Sequence, residues 1–269
     1  MRYPLKSLLA AAALGCIVAP VAAQNDTPGS LAQLVAKRAA NEGRVGTMHF
    51  ALKNKAGKTR SRTAIMVHSD QGSTEKVAIF FTKPTMIADT AFLSYNHVAK
   101  DDQNWLFLPA TKRVRRLPVS ERGDYFMGTD LTYGDLQDNF KFGLDDWTFT
   151  EVSKGSIGGK SYPMLKGKAR NAKKAAQMGY SSFKALIDKT TGFPVYIEFA
   201  DKDGDPLKRV RVYDIEKVGG VHTAMRFSAH NIQTGHTTEV HFTGMRYVPG
   251  LRQSVFDPNS LADGLPKIK

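Results

Sequence analysis

The sequence has a single cysteine, Cys16, among 269 residues. This cysteine lies in an N-terminal segment that we predict is removed on export, so the remaining chain would have neither disulfides nor a thiol nucleophile. Such a chain is held together by its core alone. At roughly 245 residues it is long enough to do so as one domain, because all-β folds often reach this length undivided.

Patterns typical of enzymes and metal sites are also missing. There is no Gly-x-Ser-x-Gly elbow, and no sequence context links a serine, a histidine and an acid, although distant residues can still meet in space. The acidic segment 201–205 lacks the spacing of a calcium loop and its later glutamate. Four histidines lie near the end of the chain without metal-ligand spacing: His222, His230, His236 and His241. We therefore predict no enzyme, no metal and no cofactor.

No apolar run is long enough to cross a bilayer as a helix. The run at residues 8–18 has about 11 residues, whereas a spanning helix needs roughly 20. Arg2 and Lys6 precede this run and the small residues 21–23 follow it, which is the pattern of a cleaved secretory signal peptide. We predict that residues 1–23 are this signal.

A lipoprotein signal is the alternative for the same segment. Cys16 would then become the acylated first residue of the mature protein. The preceding residues fit this alternative only in part, because a small residue normally stands where Leu14 does. Cleavage after Ala23 instead leaves residues 24–269, which we predict form a single domain.

The charge of the chain is strongly basic. It has 38 Lys and Arg against 25 Asp and Glu, a net charge of +13. Removal of Arg2 and Lys6 leaves 36 − 25, or +11. This excess favours anionic partners such as lipid headgroups or acidic proteins, while an export signal argues against nucleic acid. A basic surface that only aids solubility is the alternative.

Most of the chain has the two-residue periodicity of β-strands. Glycine and proline turns near residues 55–57, 191–194 and 203–204 separate the apolar segments, and such short connections imply antiparallel pairing. The predicted strands are residues 47–53, 59–68, 75–82, 90–98, 104–108, 113–117, 147–152, 161–168, 180–188, 194–200, 207–214, 222–231 and 237–247.

Helices are predicted to cover this sheet. Ser30 has the chemistry of an N-cap for an amphipathic helix that ends near residues 41–43. Segments 77–81 and 105–108 are apolar at successive positions, which predicts strands with both faces covered. The helical segments near Leu31 and Leu136 are the available covers.

Two basic stretches are read instead as surface turns. They are residues 154–160 and 166–174. The segment Gly159-Lys160-Ser161 resembles the end of a phosphate-binding loop, but Lys154 stands where the leading glycine is required. We therefore interpret it as a turn.

Several segments together resemble the outer-membrane lipoprotein-sorting protein family, which is related to the periplasmic carriers LolA and LolB. The resemblance runs from about residue 30 to the C-terminus. Its main motifs are Trp105-x-x-x-Pro109-x-x-Lys112-Arg-Val-Arg-Arg116 and Gly128-Thr-Asp-Leu-Thr-Tyr-Gly-Asp-Leu136, supported by Lys189-Thr-Thr-Gly-Phe-Pro194 and Glu198-Phe-Ala-Asp-Lys-Asp-Gly204.

The resemblance implies a mainly β fold: an unclosed, strongly curved antiparallel half-barrel with helices on its concave face. It also implies a periplasmic, non-enzymatic carrier that binds lipid or lipoprotein acyl chains and transfers them between membrane-associated donor and acceptor proteins. Some relatives are thought to act beside exporters of the resistance-nodulation-division (RND) type. An accessory or sensing subunit of such an envelope complex is therefore the alternative function.

Two groups of side chains are candidates for binding. Bulky apolar residues on alternating strand positions are expected to line the cavity: Trp105, Phe107, Trp147, Phe149, Phe199, Met225 and Phe227. Basic residues are expected to contact an anionic partner or headgroup: Lys112, Arg113, Arg115, Arg116, Arg209 and Arg211. Ordinary core packing is the alternative for the first group, and a solvated strand face for the second.

Overall fold

The computed structural model describes residues 26–97 and 100–269. The signal peptide predicted for residues 1–23, and with it Cys16, lies outside these described residues. In the two described ranges, no helix has the length and apolar character needed to cross a bilayer.

Thirteen strands are found in the described residues, and each overlaps a segment predicted from the sequence. The largest differences in length are at β7 and β11, whose strands continue further than predicted because polar residues extend the alternation. The strands are β1 Arg44–Lys53, β2 Thr59–Asp70, β3 Thr74–Lys83, β4 Ala91–His97, β5 Gln103–Leu108, β6 Arg113–Leu117, β7 Trp147–Ile157, β8 Lys160–Ala169, β9 Ser182–Ile187, β10 Pro194–Ala200, β11 Pro206–Val218, β12 Val221–Asn231 and β13 Thr237–Tyr247.

All thirteen strands form one antiparallel sheet. Its order is β6-β5-β4-β3-β2-β1-β13-β12-β11-β10-β9-β8-β7, so the first and last strands of the chain pair in the middle. The two edges, β6 and β7, are joined by residues 118–146, which we call the plug. The sheet is not closed.

The sheet is strongly curved. A flat sheet of thirteen strands would be about 60 Å wide at 4.7–4.9 Å per strand. One cluster of buried side chains nevertheless joins Leu106 of β5 to Trp147 of β7, together with Phe50, Phe81 and Phe183 from strands between them. We call this cluster the inner core. The predicted curved, unclosed half-barrel is confirmed.

A second cluster lies on the opposite face of the same strands. In β3, Val77, Ile79 and Phe81 belong to the inner core. Ala78 and Phe80, which alternate with them, belong to this second cluster, the outer core. The prediction that residues 77–81 are covered on both faces is therefore confirmed.

The outer core is covered by the C-terminal residues 248–269, which we call the C-terminal cover. Leu251, Val255, Phe256 and Leu261 are all buried against it. This cover was not predicted. It consists of two short 3-10 turns, which are too short to show a helical periodicity in the sequence.

Helix α1, Pro28–Ala36, packs into the inner core. Its N-cap is Thr27, and Ser30 occupies the third helical position and completes the capping box, so the predicted cap was wrong by three residues. The helix also ends earlier than the predicted residues 41–43. Nearby, Gly192 (φ +73°) lets the β9–β10 turn approach α1, because a Cβ there would lie 3.1 Å from the Leu34 carbonyl oxygen.

Two further short helices lie within or beside the plug. Helix α2, Tyr133–Asp138, lies within the plug near the predicted Leu136. Helix α3, Ala172–Met178, lies where a surface turn had been predicted for residues 166–174, so that prediction was wrong. Asn171 caps its start and Gly179, at φ +80°, ends it, and seven residues show too little periodicity to be recognised.

Candidate functional site

The plug fills the concave side of the sheet with its own aromatic side chains. Phe126 stacks on Phe81 of β3, with ring centroids 5.7 Å apart. Phe142 stacks on Phe183 of β9 at 4.1 Å. Phe140 and Tyr133 of the plug are also buried, and Phe140 meets the ring of Phe227 edge-on.

Little empty space remains between the plug and the apolar inner face of the sheet. Two internal cavities of about 30 and 50 Å³ border the plug, and both touch Asp135 and Phe140. Binding pockets for small molecules usually measure roughly 300–1,000 Å³, whereas these cavities hold a few water molecules at most. The open apolar hollow expected from the sequence is therefore not present in this conformation, because the plug occupies its place.

Side chains, and not β-pairing, attach the plug to the sheet. In the described part of the chain, the only backbone–backbone hydrogen bond between the plug and its surroundings runs from the Arg170 N–H to the Asp146 carbonyl, beside β7. Side chains of the sheet reach plug carbonyls instead: Arg62 donates to Met127, and Asn96 donates to Gln137 at 2.5 Å. Among the described residues, no β-ladder therefore joins the plug to the sheet.

The most buried of these attachments centres on Lys208 of β11. Lys208 is fully buried, and its ammonium donates to Asp135 Oδ2 of the plug at 2.5 Å. It also donates to the Asp130 carbonyl at 3.1 Å and to the hydroxyl oxygen of Tyr180. Tyr180 in turn donates to both carboxylate oxygens of Asp135 at 3.1 Å. All three donors of the ammonium are satisfied.

The segment Gly128–Leu136 of the family motif builds this attachment. Thr132 caps α2, and its backbone N–H donates to Asp135 Oδ2 at 2.7 Å, which fixes the carboxylate. Asp130 accepts from Thr238 Oγ1 at 2.8 Å and pairs with His236 Nδ1 at 2.6 Å. The motif therefore supplies the polar groups that hold the plug on β11 and β13.

A second charged group ties the plug to β2 and β3. Glu75 of β3 contacts His68 at 2.6 Å and Lys141 of the plug at 2.9 Å. Burial alone would raise the pKa of Glu75, but hydrogen bonds from His68 and Lys141 and their charges lower it to about 2. Burial lowers the pKa of His68. Arg44 lies 3.1 Å from the same imidazole and donates to Thr223.

A third group joins the plug to α3. Arg122 pairs with Asp138 and, at 2.9 Å, with Asp146. Lys174 of α3 contacts Asp146 at 2.6 Å. Burial opposes ionisation of Asp146, yet the Arg122 charge and the hydrogen bond from Lys174 lower its pKa. Buried or partly buried ionic groups thus hold the plug at three places.

An open polar groove of about 1160 Å³ runs past the last two groups. Its walls come from the end of α1 and the residues after it, the β2–β3 hairpin, the β4–β5 loop, the plug and α3. They carry seven basic side chains (Lys37, Arg38, Lys100, Arg122, Lys141, Lys173 and Lys174) and seven acidic ones (Asp70, Glu75, Asp101, Asp102, Asp138, Asp145 and Asp146). This balance favours no ligand of a single charge sign.

The structure divides the residues predicted to line the cavity. Trp147, Phe149, Phe199 and Phe227 lie in or against the inner core. Trp105 and Phe107 instead lie in or against the outer core, under the C-terminal cover. Met225 is half-buried and belongs to neither cluster, since a register shift opposite it turns Ala224 and Phe227 inward. The expectation of one shared face is wrong for these three residues.

The predicted basic residues are exposed in two separate places. Lys112, Arg113, Arg115 and Arg116 lie at the edge strand β6 or in the loop before it. Arg209 and Arg211 lie on β11, eight positions away in the strand order. Arg115 forms a two-pronged pair with Glu121, and Arg209 pairs with Glu198 at 3.3 Å. They do not form one patch.

The other polar sequence features have local roles. The carboxylate of Asp201 accepts backbone N–H bonds from Asp203 and Asp205, which confirms the predicted hairpin turn at residues 201–205. His241 stacks on His49 with ring centroids 4.7 Å apart. Across the residues that the structure describes, no three His, Cys, Asp or Glu side chains are grouped as metal ligands would be.

Sequence reasoning missed Lys208, Tyr180 and Asp135. A signal for Lys208 exists: it lies on the same strand face as Val210 and Val212, so it is a charged residue on an inward-facing side. Its partner could not be identified, because Asp135 is distant in sequence and the alternation of a strand carries no information on what it faces.

Comparison with known proteins places the fold in context. A family model, described only as that of an uncharacterized protein, matches residues 73–263. No curated protein matches the chain. Among solved structures, a domain from Vibrio parahaemolyticus described as an outer membrane lipoprotein-sorting protein is similar over 87% of this chain and 97% of its own, with 26% identity and a TM-score of 0.77.

Two further solved structures share the fold. A DUF1329 family protein from Desulfovibrio piger has 22% identity and a TM-score of 0.78, covering 87% of this chain and 97% of its own. A LolA superfamily protein from Nitrosomonas europaea has 16% identity and a TM-score of 0.65, covering 87% and 98%.

Proposed function

This chain belongs to the family whose model matches residues 73–263, and it has the fold of a LolA superfamily protein; from that premise we propose that it is a periplasmic carrier without enzymatic activity. The carrier takes up an acylated or otherwise hydrophobic molecule on the concave face of its sheet. It then hands that molecule between membrane-associated donor and acceptor proteins. Residues 24–269 form the single carrier domain in this proposal.

The observation that carries the proposal is the way in which the plug is held. The plug covers the apolar concave face, and it is attached by side-chain contacts to strands inside the sheet, such as β3, β11 and β13, whose pairing does not involve the plug. Its removal would expose Phe81, Phe183 and Phe227 without disturbing strand pairing. An acyl chain can then take the place of the plug aromatics.

The cargo and the plug compete for the same apolar surface of the sheet. Burial of an acyl chain of about 14 carbons gains on the order of 10 kcal/mol at about 0.8 kcal/mol per CH₂, before ordering costs. The plug gains burial of its own aromatic rings when it closes. Because one burial replaces the other, the net affinity for cargo is moderate and the cargo can be released.

Hydrogen exchange with and without lipid tests this mechanism. We expect palmitoyl lipids to bind the purified protein and to increase amide exchange in plug peptides covering residues 126–142. Peptides of the C-terminal cover, residues 251–261, serve as the internal control and should not change. Native mass spectrometry of the protein as purified should show lipid bound in a defined stoichiometry.

Three results would contradict the proposed carrier mechanism. Absence of lipid binding under all conditions, with a stoichiometric protein partner instead, would favour an accessory subunit of an envelope complex. Lipid binding with unchanged exchange in the plug would place the lipid elsewhere on the protein. Turnover of ester substrates would show an enzyme.

A further inference from the structure

A fully buried polar contact joins the wall of the sheet to the plug. Lys208 belongs to β11, and Tyr180 directly precedes β9, so both are fixed to the sheet. Asp135 belongs to α2 within the plug. The cation and the phenol therefore stay in the wall when the plug leaves, and the carboxylate goes with the plug.

When the plug leaves, Lys208 loses most of its hydrogen-bond partners. Two of its three hydrogen bonds end on plug atoms, Asp135 Oδ2 and the Asp130 carbonyl oxygen. The surrounding wall is apolar and includes Phe199 and Val210. An unpaired ammonium in such a wall costs several kcal/mol unless water or another anion replaces the carboxylate.

Tyr180 completes a two-donor arrangement. Its ring stacks on Phe199 with centroids 4.2 Å apart, which holds the hydroxyl in place. Burial, followed by the negative charge of Asp135, raises the pKa of this hydroxyl well above 10, so it remains a donor. The ammonium and the hydroxyl converge on the same carboxylate. This is a preformed site for one anionic group.

The plug residues around Asp135 have the chemistry of an anionic amphiphile. Before Asp135 in the sequence, Leu131 and Tyr133 are buried. After it, Leu136 and Phe140 pack in or against the inner core. A carboxylate embedded in apolar groups thus enters an apolar chamber and ends on a cation. A lipid with an anionic headgroup would offer the same combination.

We propose that Lys208 and Tyr180 form the headgroup site of the carrier and that Asp135 occupies it in the closed protein in place of the cargo. The cargo is then an amphiphile with a carboxylate or phosphate at the end of its apolar chain. This inference rests on the proposed carrier function and adds to it the chemical class of the cargo.

The test compares lipids that share one acyl chain. Dissociation constants are measured by calorimetry for palmitate, palmitoyl lysophosphatidic acid and monopalmitoylglycerol, which carry a carboxylate, a phosphate and a neutral headgroup. We expect the wild-type protein to bind at least one anionic lipid about tenfold or more tightly than the neutral one, as one charge-assisted contact predicts. Whichever anion binds more tightly identifies the source of the charge.

Variants separate headgroup recognition from plug closure. Asp135→Asn weakens the closed state only, so we expect it to tighten all three lipids and to keep the preference for the anion. Lys208→Met combined with Asp135→Asn removes both charges together and should reduce the preference to about onefold. The double variant avoids a lone buried charge, which protects its folding. Lys184→Met and Asp145→Asn alter exposed residues and are the matched controls.

The outcomes distinguish this inference from the function on which it rests. If all lipids bind but the double variant keeps the wild-type preference for the anion, the headgroup site is wrong while the carrier stands. A wild-type protein that binds neutral and anionic lipids equally leads to the same conclusion. If no lipid binds to any variant, the carrier function itself fails, and the headgroup site with it.

Discussion

The two covers of the sheet are built from different chemistry. The C-terminal cover lies on the outer core through apolar side chains, among them Val255, Phe256 and Leu261. The plug lies on the inner core through aromatic side chains and also through buried ionic contacts, such as Lys208–Asp135 and Glu75–Lys141. One sheet thus carries an apolar cover on one face and an ionically tied cover on the other.

In the proposed carrier, this difference distinguishes a permanent cover from a removable one. Apolar burial contributes free energy wherever the surfaces meet, and nothing on the outer face competes for it. Buried ion pairs gain little in net free energy, because the desolvation of both charges offsets their attraction. They do fix the position of the plug, because they form only in one arrangement. A competing anion can replace one partner.

The largest expected effect comes from truncating the outer cover. Phe256→Ala removes a buried ring at 1% exposure and should lower the free energy of unfolding by about 3–5 kcal/mol, measured by urea denaturation. Phe126→Ala removes an equally buried ring from the plug. The loss in free energy of unfolding caused by Phe126→Ala cannot exceed the free energy of plug closure. A larger loss would open the plug and leave the sheet folded.

The lipid affinity of the same two variants sharpens the comparison. Phe126→Ala should bind palmitoyl lipids more tightly than the wild type, since less packing is lost when its plug opens. Phe256→Ala should bind them as the wild type does. The distinction between the covers is wrong if both variants gain affinity, or if the outer truncation alone does.

Lowering the pH should have an intermediate effect on stability, and among the two covers it should weaken only the plug. The pKa of Glu75 is lowered to about 2 in the folded protein from an ordinary value near 4.5. Between these values the unfolded chain binds the proton and the folded protein does not, so stability falls as the pH falls. The loss amounts to about 3 kcal/mol at most, and two contacts share it, since His68 of β2 lowers the pKa more than Lys141 of the plug does.

Hydrogen exchange between pH 5 and pH 2 reports this loss, after correction for the intrinsic exchange rates. Plug peptides should lose protection as the pH falls, while peptides of the C-terminal cover keep theirs. Glu75→Gln should remove most of this pH dependence. Equal loss of protection in both covers, or an unchanged pH dependence in the variant, would show that Glu75 does not tie the plug.

The strands could be predicted from the sequence because their information is local. The alternation in Pro194–Ala200 and Thr237–Tyr247 predicted the observed bounds. Successive side chains of a strand point to opposite faces, so this pattern depends only on neighbouring residues. The helix α3 escaped prediction because seven residues span barely two turns. The C-terminal cover escaped because its turns have no period.

The site was harder to predict because it depends on which face is inner. Residues 105–108 are apolar at every position, so the alternation cannot say whether Trp105 and Phe107 or Leu106 and Leu108 face the plug. The C-terminal cover decides this, and it lies far along the chain. The contact of Lys208 with Asp135 likewise joins distant segments, and only the folded sheet brings them together.

The smallest expected effect concerns an exposed ion pair between the edge strand β6 and the first residues of the plug. Arg115 and Glu121 form two hydrogen bonds of 2.9 and 2.7 Å, but Arg115 is 57% exposed. Water and salt screen such a pair, so Arg115→Gln should change the free energy of unfolding by no more than about 1 kcal/mol in urea denaturation. Asp135→Asn, which leaves Lys208 buried without its carboxylate, should cost more. Equal costs would mean that burial does not distinguish the ties of the plug from a surface pair, and the ionic part of the comparison would fail.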